Sequence, residues 1–127
     1  MTFSIAGHCA RTGMFGVAIT TSSICVGSRC PHARAGVGAV ATQNVTDPHL
    51  ATLVLDRMQE GHDAASAIAK VVAGRENIGY RQLTAVDVKG IQRTLPVTKY
   101  SVPTRSKRPH TVWPPAIFCP AKMYRSQ

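Results

Sequence analysis

The residue whose type and place could do chemistry unaided is Thr2, directly behind Met1. A methionine before a small residue is normally trimmed, which leaves Thr2 as the first residue of the mature chain. Its hydroxyl and its free α-amine then sit on adjacent carbons. The α-amine has an ordinary pKa of roughly 7.7–8.0, so a useful fraction is neutral near pH 7. The amine can take the hydroxyl proton while the oxygen attacks an amide carbon, and one residue serves as nucleophile and base. Two oriented donors are still needed for the oxyanion that forms.

Other polar side chains could assist. Ser22 and Ser23 follow the second apolar run and read either as a plain loop or as the lining of a pocket beside Thr2. Gln43 and Asn44 end a small-residue run; their amides could donate to an oxyanion or satisfy local backbone groups. Arg34 could grip a substrate carboxylate with both arms of its guanidinium, or solvate the surface. Cys9, Cys25, Cys30 and Cys119 lack the close pairing of a zinc site, and the histidines form no paired motif on a helix face. The expectation is no metal, no cofactor and reduced thiols.

The elements that must position these groups follow from pattern. Thr2–Ala6 alternates apolar and small polar residues, Thr12-Gly13 offers a turn, and Met14–Thr21 reads as a returning strand, so the N-terminus predicts a hairpin. Ile24–Gly27 suggests a short third strand, and Ala35–Gln43, small and apolar, a buried one. Thr46-Asp47-Pro48 offers a capping residue with Pro just inside the start of a helix that carries Leu50, Leu53, Val54 and Met58 and stops at Gly61. Asp63 caps a second helix, with Ala64, Ala67, Ile68, Val71 and Val72 on one face and Gly74 as its stop. Arg81–Val88 returns to strand alternation before Lys89-Gly90 turns. Strands, two helices and strands again make an α+β layered domain.

Thr2-Phe3-Ser4-Ile5, Thr12-Gly13 with Gly16-Val17-Ala18, Arg81-Gln82-Leu83 before Val86-Asp87 and, most specifically, the string from Arg34 to Gln43 resemble the domain-of-unknown-function family 1028. The resemblance runs along residues 1–90. That bacterial family is assigned to the N-terminal-nucleophile hydrolase superfamily. The resemblance implies a four-layer αββα sandwich, Thr2 as nucleophile and a small-molecule or peptide amide as substrate. The chain departs from the family where His8-Cys9 replaces an Arg-Asp pair at the end of the first strand; Cys9 reads here as a small apolar strand residue.

Composition bounds the alternatives. The 127 residues suit one domain, and no apolar run approaches the roughly 18 residues of a membrane span. No basic-then-apolar leader opens the chain, so the expectation is a cytoplasmic protein away from membranes. The net charge of +9 points first to nucleic acid. Its distribution argues otherwise. Residues 1–90 carry eight Lys/Arg and all six Asp/Glu, whereas residues 91–127 carry seven Lys/Arg, no acid and no glycine. The chain thus divides into a domain at 1–90, incomplete against the family, and a basic, Pro-rich tail at 91–127.

Three readings of that tail follow. It could be a disordered arm in which Lys99, Arg105, Lys107, Arg108, Lys122 and Arg125 track phosphates while Tyr100, Trp113 and Tyr124 stack on bases. It could be out of frame. Codons begun at the third base of the present ones can restore glycine and acidic residues, and they force Ala, Leu and Val at the places of Trp113, Phe118 and Met123. Or the whole chain could be a non-catalytic structural remnant. A truncated sheet would leave an open edge that invites a second copy of the chain, a homo-oligomer. The frame-shifted reading makes nucleic acid an unlikely partner and an amidohydrolase with Thr2 as nucleophile, inactive if truncated, the leading one.

Overall fold

The computed structural model describes residues 2–99. They form an α+β unit of six strands and two helices, in the order ββ, ββ, αα, ββ. Strands β1 (Thr2–His8) and β2 (Phe15–Thr21) make an antiparallel hairpin that is a sheet by itself. Strands β3 (Pro31–Arg34), β4 (Gly38–Asn44), β5 (Arg81–Asp87) and β6 (Gln92–Leu95) form a second, wholly antiparallel sheet in the order β3-β4-β5-β6. Helices α1 (Pro48–Gln59) and α2 (Ala64–Val72) fill the connection between β4 and β5.

Period-two alternation along β4 and β5 sorts the two faces of the larger sheet. Val40, Leu83 and Ala85 pack against Leu50, Val54, Leu55 and Met58 of α1 and Ala64, Ala67, Ile68 and Val71 of α2. Ala39 and Val86 point the other way, onto Ala6 of β1 and Phe15 and Val17 of β2. The described residues thus form three layers: helices, a four-stranded sheet and the hairpin. The second helical layer of an αββα sandwich is not among them, because both helices lie on one face.

The helices begin and end where the caps direct. Asp47 accepts from the His49 N–H at 3.2 Å with Pro48 at the first turn, and Asp63 accepts from the Ser66 N–H at 2.7 Å. Gly61, at φ +97°, takes the chain out of α1 in a conformation that other residues resist.

Two expectations need correction. Ile24–Gly27 is not a strand. Cys25 adopts a left-handed φ of 56° and Val26–Ser28 forms a single 3-10 turn, closed by the Ser28 hydroxyl donating to the Cys25 carbonyl at 2.8 Å. The third strand is instead Pro31–Arg34, an edge strand opening on a proline, which needs no ladder N–H there. The buried strand begins at Gly38 and not at Ala35, because Arg34–Val37 is a tight turn with Gly36 at φ +71°.

The compositional break at Gly90/Ile91 falls in the turn between β5 and β6, and β6 pairs along β5 from Val86↔Gln92 to Leu83↔Leu95. Beyond it, the N–H groups of Thr98 and Lys99 both donate to the Gly79 carbonyl. The basic arm beyond residue 99, with Arg105, Lys107, Arg108, Lys122, Arg125, Tyr100, Trp113 and Tyr124, lies outside the described residues.

Candidate active site

Thr2 is the first residue of β1 and is exposed. Its register partner across the hairpin is Thr21, the last residue of β2. The two hydroxyls are 2.8 Å apart, a hydrogen bond. By alternation Thr2 shares a face with Ser4 and Ala6, the face turned toward the larger sheet. Thr2 therefore stands at the rim of the space between the sheets.

The neighbouring polar groups are tied to one another. The Ser23 N–H donates to the Thr21 hydroxyl at 3.2 Å, and the Arg29 guanidinium donates to the Ser23 hydroxyl and to the Ile24 carbonyl. Thr2, Thr21, Ser23 and Arg29 form one hydrogen-bonded run from the first strand to the loop after the second. Gln43 is buried, and its side-chain amide donates to the Ser4 hydroxyl, two residues from Thr2.

The structure thus brings Ser23 and, through Ser4, Gln43 to the Thr2 end of the hairpin. Ser22 is exposed in the same loop. Asn44 sits at φ 67° and donates to the Tyr80 carbonyl at 2.6 Å, which fastens the chain entering β5. Arg34 lies at the opposite end of β4, across from Gly38. Its guanidinium donates to Asp56 at 2.8 Å and Gln59 at 2.6 Å, and so docks the edge strand onto α1.

Thr21 and Arg29 were not singled out from sequence. The hairpin itself carried the signal for Thr21, because pairing two strands about Thr12-Gly13 sets the first residue of one against the last of the other. Arg29 carried none, since the reach of a long side chain across a loop has no period.

Two clefts of about 300 Å³ are present at the far end of the strands. One is lined by His8, Ala10, Val86, Val88, Lys89, Gly90 and Gln92, and the His8 ring stacks on Phe15 with centroids 4.6 Å apart. The other lies between α1, α2 and the β5–β6 turn and includes His62, Asp63 and Asp87. Neither includes Thr2. Cys9 follows β1 directly and is half-buried. Among the described residues no group of three or more His, Cys, Asp or Glu could hold a metal, and no helix is long and apolar enough to cross a membrane.

A mixed α+β unit with antiparallel sheets, two helices and an N-terminal hairpin is thus the class that fold and site define. The chain matches the family of unknown function DUF1028 over residues 2–101, and it belongs to that family. The match extends past Gly90, further than the sequence resemblance alone. Among solved structures it is similar to protein SPO2555 from Silicibacter pomeroyi, family DUF1028, with 29% identity and a TM-score of 0.74. The alignment covers 78% of this chain but only 44% of that one. None of the curated proteins matches the chain.

Proposed function

We propose that the chain carries the nucleophile of an N-terminal-nucleophile-type amidohydrolase, with Thr2 as the reacting residue and a small-molecule or peptide amide as substrate. The supporting observation is the placement of Thr2 as the first residue of a strand, with its hydroxyl held by Thr21 at 2.8 Å. Strand pairing fixes the main chain of Thr2, and the hydrogen bond fixes its side chain, so both reacting groups of one residue are oriented together.

With Met1 removed, the α-amine accepts the proton of the Thr2 hydroxyl as the oxygen bonds to the amide carbon. The π pair of the carbonyl moves to its oxygen. Collapse of that tetrahedral species breaks the C–N bond, and the leaving nitrogen takes the proton from the α-ammonium. Water, deprotonated by the same amine, then attacks the ester on Thr2 and frees the acid. In SPO2555 more than half of the chain lies outside the aligned region. We assign the walls that would close a pocket over an exposed Thr2, and the second helical layer of the sandwich, to that portion of the family fold.

Mass analysis of the N-terminus tests this first. A retained Met1 removes the free α-amine and with it the mechanism. A chain that begins at Thr2 is expected to gain the mass of a β-lactone, and Thr2→Ala to lose that labelling. A Thr2 chain left unlabelled would instead mark a non-catalytic remnant. Because the family match runs past Gly90 to residue 101, sequencing the gene from the Gly90 codon onward separately tests whether any of residues 91–127 lie in a shifted frame.

A further inference from the structure

We propose that Thr21 is a positioning residue for Thr2: its hydroxyl donates to the Thr2 oxygen and so frees the Thr2 proton for the α-amine. The inference rests on the Thr2 reading and adds a second residue to it. A hydroxyl has one proton and two lone pairs. Of the two hydroxyls 2.8 Å apart, Thr21 already accepts from the Ser23 N–H at 3.2 Å. An accepted hydrogen bond polarises a hydroxyl and makes it the better donor. The direction therefore runs from Ser23 N–H to Thr21, and from Thr21 to Thr2.

That direction suits attack. If Thr2 donated to Thr21, its proton would point away from the α-amine, and the hydroxyl would have to turn before reacting. With Thr21 donating, one lone pair of Thr2 is held and the proton is left to face its own amine. Negative charge growing on the Thr2 oxygen strengthens the same bond. Thr21 is half-buried at the end of β2, and the guanidinium of Arg29 holds the loop behind it by donating to Ser23 and Ile24. The donor is thus set before a substrate arrives.

The test is the rate of Thr2 acylation by a β-lactone, followed by intact mass across pH. Thr21→Val keeps the β-branched shape without the donor and is expected to slow labelling by about tenfold to a hundredfold. Thr21→Ser restores the donor and most of the rate. Thr20→Val, on the opposite face of the strand, leaves the rate unchanged. The acidic limb of the profile, set by the α-amine, stays in place in every variant, because Thr21 acts on the oxygen. Thr21→Ala serves as a second hydroxyl-free variant should valine disturb the strand, with circular dichroism as the check on folding. Wild-type rates in both hydroxyl-free variants, or a Thr21→Ser as slow as Thr21→Val, would overturn the positioning role and leave Thr2 standing. Labelling that persists in Thr2→Ala would remove both.

Discussion

The side-chain amide of Gln43, in the larger sheet, donates to the hydroxyl of Ser4, in the hairpin, and joins the two sheets by a polar contact beside the apolar cluster of Ala6, Ala39 and Val86. Gln43 is only 5% exposed. Replacing it with alanine leaves Ser4 without that donor and opens a void, a loss of about 1–3 kcal/mol. Urea unfolding of Gln43→Ala should show that loss, and hydrogen exchange should show it as faster exchange across β1 and β2.

Asp87 carries a larger share. Its buried carboxylate accepts from the N–H groups of Lys89 at 2.9 Å, Ile91 at 3.0 Å and Ala64 at 3.2 Å, and so ties the β5–β6 turn to the start of α2. Asp87→Ala strands these donors in a partly dry site. The expected cost is about 3 kcal/mol by the same urea assay, enough to unfold a marginal domain. Asp87→Asn should recover only part of it, since an amide turns a donor toward one of the N–H groups.

Gly38 cannot bear a side chain. A Cβ there would collide with the end of Met58 and with the Val86 carbonyl. The Met58 side chain can move, but the carbonyl belongs to β5 and is fixed by the ladder. Gly38→Ala should therefore destabilise the fold by about 1–3 kcal/mol. Met58→Ala added to it should relieve only part of the strain, which thermal unfolding of the single and double variants would show.

Acid should loosen α2 through Asp63. The Ser66 backbone N–H, and then the Ser66 side chain, hold this carboxyl below its ordinary 3.8. A carboxyl depressed in the folded state stabilises it above the unfolded value and loses that contribution as pH falls through the folded one. The window accordingly opens at pH 3.8 and extends downward. Urea midpoints of wild type and Asp63→Asn, measured from pH 6 to pH 2, should converge as the wild-type carboxylate takes up its proton.

The most legible parts of the fold were those with local causes. Asp47, Pro48, Asp63 and Gly61 marked the helix ends because capping depends on neighbours in sequence. The Thr12-Gly13 turn set the hairpin, and its register carried Thr21 to Thr2. Strands of only four residues, too short to show a period of their own, were hidden. Pro31–Arg34 is a strand only because β4 lies beside it, and β6 follows a sharp change of composition yet pairs with β5. In the candidate site, Thr2 stood out by its place behind Met1 together with the family resemblance, and its role is the proposal made above. The engagement of Arg34 by Asp56 and of Asn44 by Tyr80 was not legible, since those partners lie 22 and 36 residues away.

The contacts of Ala6 with Ala39 and Val86 have a further consequence. Helices and larger sheet share a core of leucines, valines, Met58 and Ile68, whereas the hairpin that bears Thr2 meets the larger sheet through Ala6 on Ala39 and Val86, with partial help from Phe15 and Val17. Burial of so few methyl groups gives a low free energy of local opening. On warming, the hairpin should open before the scaffold, so a sample that has lost the Thr2–Thr21 pairing can still look folded by far-ultraviolet circular dichroism.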